Sequence, residues 1–191
     1  GWRPDASAVM IDPAVGAGQY RAVGRIVASA SMRSIVEQLR TAINRLEDVE
    51  TEAQFAAAIS KLGIASSSKN LDPMPVIVSS IAGGSGSGVF PDVCDALRMI
   101  NPSWGDKSVG VLYTPDVFDE LGPAAKAGVQ PNALAAVAEV LSGYWNNEWN
   151  QTNDGKLTPE FPVLESAGVA LNSIERRGPR YPILVGRSNG K

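Results

Sequence analysis

The sequence predicts an α/β fold with a mostly parallel sheet, and three observations carry that expectation. In "MPVIVSSIAGGSGSGVF" (74–90), the β-branched run Val76, Ile77 and Val78 shows no polar alternation, as in a strand buried on both faces. Past a stretch of only Gly and Ser (83–88), Val89, Val93 and Leu97 repeat at helical spacing, with Phe90 and Cys94 beside them. "SVGVLYT" (108–114) is a second buried-strand candidate. Strand, glycine stretch, helix and strand within roughly 40 residues is the size of a βαβ unit.

The other elements follow in order. Met32, Ile35, Val36, Leu39, Ala42, Ile43 and Leu46 recur at three- and four-residue steps, which predicts a helix from near Arg21 to around Val49. "AQFAAAISKL" reads as a shorter helix, and "GIASSSKNLDP" as a polar connection closed by Pro73. "PNALAAVAEVLSGYW" predicts a third helix, with Pro131 suited to a first turn. "NNEWNQTNDGKLTPEFP" (146–162) is polar and turn-rich, a surface loop or insertion within the single domain expected over 1–191. "RYPILVGRSNGK" reads as a strand running into a turn. There is no internal repeat.

Composition excludes several function classes. The chain has no histidine, so Ser-His-Asp and Cys-His catalysis cannot be built within it. A histidine-bearing zinc site is excluded too, and one cysteine, Cys94, builds neither a thiolate site nor a disulfide framework. Seventeen basic against twenty acidic residues, with no basic cluster, leave no nucleic-acid footprint. No run of about 18 apolar residues suggests a spanning helix. "GWRPDASAVM" carries no export pattern, and with a single cysteine a cytoplasmic setting is expected.

Glycines between a strand and a helix let backbone N–H groups approach an anion, and the helix N-terminus adds a favourable dipole. A phosphate cradle is therefore the first functional reading of residues 83–88. Several known cradles do not fit. G-x-G-x-x-G has the wrong spacing, a Walker loop needs a lysine and none lies between Lys69 and Lys107, and a G-x-S-x-G elbow has no histidine to serve it. The competing reading is a turn chosen only for positive-φ positions. Ser85 and Ser87 have no identifiable base nearby.

Ala82-Gly83-Gly84-Ser85-Gly86-Ser87-Gly88 resembles the G-G-G-T-G-S/T-G signature of the tubulin/FtsZ superfamily, with Ala for the first Gly and Ser85 for Thr. "GAGQYRAVGR" (16–25) is similar to that family's other phosphate-facing loop through Gly16, Ala17, Gly18, Gly24 and Arg25, with Gln19 beside them. "VGVLYTPDVFDE" resembles the V-G-V strand and P-x-x-F-E stretch of FtsZ through Pro115 and Phe118, placing Asp119 where the family has a ribose-binding Glu. "VQPNALAAVAEVL" resembles the tubulin V-E-P-Y-N-A stretch, in which Gln130 replaces that acid. Asp119 is preferred, because a carboxylate accepts from both ribose hydroxyls. Asn189 stands, by order, where tubulin-like proteins bring a guanine-contacting Asn after a strand. The resemblance covers roughly residues 10 to 145, and divergent bacterial tubulin-like proteins look nearer than tubulin itself.

The resemblance implies a three-layer fold, truncated, that binds GTP or GDP on its two glycine segments, with Mg²⁺ on the phosphates. It implies a self-associating GTPase in the whole protein. Neither the family's first G-G-x-G-x-N loop nor its N-x-D-x-x-D acids are seen, so the chain reads as an excerpt that should be nearly inert in hydrolysis alone. Two alternatives stay open: a tubulin-like scaffold without turnover, and an unrelated α/β enzyme using the glycines for a phosphorylated metabolite. In the latter, Asp116, Asp119 and Glu120 would be the first catalytic suspects. Arg21 and Arg25 are placed either on phosphate or in solvent, Cys94 in the core, and Trp145 and Trp149 under a loop or against a partner.

Overall fold

A computed structural model describes residues 17–46, 48–63, 73–149 and 178–187. Along the chain come α1 (Arg21–Leu46), α2 (Val49–Lys61), β1 (Val76–Ser80), α3 (Gly84–Ile100) and a short α4 (Pro102–Gly105). After them follow β2 (Val109–Tyr113), a 3-10 turn (Pro115–Phe118), a short α5 (Pro123–Lys126), α6 (Val129–Trp149) and β3 (Tyr181–Val185). The sheet is parallel in the order β1-β2-β3, with Val78 opposite Val111 and Val111 opposite Ile183. The fold is α/β with a parallel sheet, as expected.

Both crossovers step across the sheet in one direction, and right-handed crossovers of that kind place their helices on the same face. Accordingly, Phe90 and Cys94 of α3 and Ala133, Ala136 and Val140 of α6 share one core with Ile81 and Leu112, against Ile77. A second cluster joins α1 to α3 through Met32, Val36 and Ala96, and a third joins Ile43, Leu97 and Trp104. Cys94 is in the core as expected, and burial pushes its thiol up to about 12.

The expectation of strands buried on both faces does not hold among the described residues. Val76 and Val78 are 55% and 62% exposed, and Tyr181 and Ile183 continue that apolar surface across the sheet. The described helices α3 and α6 cover the other face of the sheet. α6 runs through Trp149, so residues 146–149 of the expected polar loop are helix. No strong breaker occurs before Asn153-Asp154-Gly155, which lies with the rest of that stretch outside the described residues.

The largest departure from expectation is at the glycines. α3 begins at Gly84, so Gly84, Gly86 and Gly88 lie inside its first turns and not in a preceding loop. Among the described residues only Gly18 (φ 53°) and Gly63 (φ 71°) have positive φ, which removes the positive-φ turn as the reason for the run. Helix propensity disfavours these glycines by about 1 kcal/mol each, so close packing must favour them.

Candidate functional site

The three parallel strands point their C-terminal ends at one edge, the edge where open α/β sheets bind ligands. β1 leaves the sheet there through Ile81, Ala82 and Gly83, and α3 starts at once. Residues 17–20 fold against that start. Tyr20 N donates to Ala17 O at 2.9 Å, closing a turn in which Gly18 takes its left-handed φ. Gly84 N donates to Gly18 O at 2.8 Å, and Ala17 N to the Ser85 hydroxyl at 3.4 Å. The two glycine segments, 66 positions apart at Gly18 and Gly84, are thus in direct backbone contact.

A Cβ on Gly84 would stand 2.8 Å from Gly18 O, one on Gly24 would stand 2.4 Å from Gly84 O, and one on Gly88 would stand 2.6 Å from Arg21 O. Each neighbour is backbone, so no side-chain rotation relieves the overlap. Gly86 likewise meets Ser80 O at 2.6 Å. Gly83 differs, because nothing lies within 4 Å of its Cβ direction. The run is therefore a packing surface for the start of α1 and for the end of β1, with Gly83 as its one free position.

No side chain caps α3 among the described residues. Gly84 N is taken by Gly18 O, and the first-turn N–H groups of Ser85 and Gly86 have no protein acceptor among the described residues. Ser85 is exposed, whereas Ser87 is fully buried and its hydroxyl donates to Gly83 O. An electropositive helix end with unmade N–H bonds, reached by Ser85, suits an anion.

Arg21 and Arg25 are not the solvated residues expected at a helix start, because carboxylates hold both. The Arg21 guanidinium forks onto the Glu139 carboxylate of α6, with Nη1 at 2.9 Å from Oε1. Arg25 donates to Asp92 at 2.9 Å and to Glu139 at 3.1 Å, and Asp92 is 1% exposed. Pro91, inside α3, has no N–H to offer Ser87 O, and Arg21 Nε donates to that carbonyl at 3.0 Å instead. These arginines tie α1, α3 and α6 together behind the glycine contact.

Asp119 follows the 3-10 turn at the exit of β2, on the same sheet edge, with its side chain 62% exposed and Lys126 Nζ at 3.8 Å. Beside it, Asp116 accepts from the Thr114 hydroxyl and from Arg187 N at 2.6 Å, and these bonds hold its carboxyl below the usual range. Glu120 pairs with Arg187 at 2.9 Å. Gln130 is exposed in the first turn of α6. Gly16 and Asn189 lie outside the described residues. Among the described residues, no group of three or more Cys, Asp or Glu could hold a metal ion, and no helix is long and apolar enough to cross a membrane.

Sequence reasoning missed Asn132. It is 7% exposed, and its amide donates to Gln19 O at 2.9 Å and Ala82 O at 3.0 Å, one carbonyl from each glycine segment. The available signals were its place as the Asn of the V-E-P-Y-N-A resemblance and a polar residue beside Ala133, Ala136 and Val140 on the core face of a helix.

Residues 1–185 match the family model described as "Tubulin like", extending the likeness well beyond the stretch that carries the motifs. No curated protein and no solved structure matches the chain. With nearly its whole length covered by that model, the chain belongs to the tubulin-like family.

Proposed function

We propose that this chain is the guanine-nucleotide-binding part of a self-assembling, tubulin-like GTPase. The observation that carries the reading is the contact of Gly84 N with Gly18 O. It joins the two glycine segments at the edge where open α/β sheets generally bind ligands, beside the unmade N–H bonds of Ser85 and Gly86. Those donors suit phosphate oxygens, and the Ser85 hydroxyl can add a further bond. Mg²⁺ would ride on the phosphates, as the family resemblance implies. Asp119 is proposed for the ribose and Asn189 for guanine. The test is equilibrium binding of GTP, GDP and ATP to the full-length protein. Tighter binding of the guanine nucleotides, lost in Gly86→Leu, is the expected result; equal affinity for ATP or indifference to Gly86→Leu overturns the reading.

One observation favours a second reading, a scaffold that binds and assembles without turnover. Arg21 and Arg25, the cations nearest the glycines in sequence, are committed to Glu139 and Asp92. Charge stabilisation at a transferring phosphoryl group would have to come from elsewhere. Phosphate release under conditions where the protein sediments as polymer separates the two readings.

A further inference from the structure

We propose that Asn132 is a positioning residue for the phosphate site, fixing the separation of the two glycine segments; this rests on the nucleotide reading above. Its amide carries two N–H donors, and both are engaged, one on Gln19 O at 2.9 Å and one on Ala82 O at 3.0 Å. Gln19 follows the Gly18 turn, and Ala82 precedes Gly83. The side chain thus links the same two segments that Gly84 N joins by donating to Gly18 O. Two links of different origin, one backbone and one side chain, then define a single spacing.

The side-chain chemistry is specific. An aspartate of the same shape would face two carbonyls with acceptors only, and a leucine would leave both carbonyls without that donor. α6 holds Asn132 in place, because Asn132 N donates to Gly128 O at 3.0 Å and the residue is 7% exposed. Gly128 also has a Cβ direction only 2.6 Å from Gln19 Cβ and 2.8 Å from Gln19 O, so the first segment is pressed against the same helix end. Two turns further along α6, Glu139 receives Arg21 and Arg25 from the helix that the first segment opens. The glycine segments are therefore registered by α6 at two heights, and Asn132 is the group that touches both.

The experiment compares GDP with guanosine in equilibrium binding to the full-length protein, so that the phosphate contribution is read as a ratio. Asn132→Ala and Asn132→Asp should each weaken GDP about tenfold while leaving guanosine unchanged. Met32→Ala, in the α1–α3 core, is the control for lost stability and should leave the ratio alone. Should the Asn132 variants not fold, Gly128→Ala displaces the first segment without touching the amide, and it should lower the same ratio. Unchanged ratios in the variants, with GDP binding intact in the parent, overturn the positioning role only. A parent that binds GDP no better than guanosine overturns the phosphate site and the positioning role together. A fall in the ratio that Met32→Ala reproduces assigns Asn132 to stability and also overturns the proposal.

Discussion

Replacing Gly88 by alanine adds one methyl group at a point where the first turns of α1 and α3 touch. That methyl would stand 2.6 Å from Arg21 O and 3.1 Å from Arg25 N, both backbone atoms of α1. Restoring ordinary contact at 3.4 Å requires the helices to separate by about 0.8 Å. Overpacking of this kind costs about 1–3 kcal/mol, and the upper part of that range applies because no side chain can rotate away. Alanine in a helix interior recovers about 1 kcal/mol over glycine, which leaves a net loss of about 2 kcal/mol. Gly83→Ala is the internal control. Nothing lies within 4 Å of its Cβ direction, and its φ of −84° and ψ of 162° suit alanine. The poorer N-cap and the stiffer unfolded chain offset one another to within about 0.5 kcal/mol. Urea denaturation of the two variants should therefore place the Gly88→Ala midpoint about 1 M below the parent and Gly83→Ala close to it. A Gly88→Ala midpoint at or above the parent would refute the packing explanation of the glycines.

Other expectations follow from single contacts. Arg25→Ala leaves the buried Asp92 carboxylate without its guanidinium and should cost about 3 kcal/mol in denaturation, with Asp92→Asn on top recovering part of the loss; a cost below about 1 kcal/mol contradicts this. Asp116 has a lowered folded-state pKa, so its stabilisation is complete above the ordinary carboxyl value and disappears as pH falls through the lower folded value. The midpoint difference between the parent and Asp116→Ala should thus be full at neutral pH and shrink below about pH 4; a difference that persists unchanged into acid contradicts the linkage. Cys94, 2% exposed with its pKa near 12, should react with a thiol reagent at neutral pH only as fast as the protein opens, and rapid labelling of the native state would contradict its burial.

The strands and helix faces were legible because they rest on local pattern. Val76–Val78, Val109–Val111 and the Met32–Val36–Ile43 stripe state their periodicity within a few residues. The start of α3 was not legible, since glycine's low helix propensity reads as loop while the opposing fact is tertiary: the carbonyls of Gly18 and Arg21 stand 2.8 and 2.6 Å from the Cβ directions of Gly84 and Gly88. Arg21 illustrates the same limit. Its partners are Glu139, 118 positions away, and the carbonyl of Ser87, freed by Pro91. Local sequence shows a basic residue at a helix start and nothing of either partner. The glycine segments were recognisable as motifs; Asn132 stood inside the V-E-P-Y-N-A resemblance, but only Gln130 was weighed there, and its bonds to both segments emerge only from its two carbonyl partners.

Under the nucleotide proposal, Gly18 and the Ser85–Gly86 turn belong to one phosphate-binding site. Backbone amide resonances of the full-length protein, followed while GDP and then guanosine are added, test it most directly. The Gly18, Ser85 and Gly86 amides should shift together with GDP, with one shared affinity, and barely respond to guanosine. Shifts confined to one segment, or equal shifts with guanosine, would contradict it.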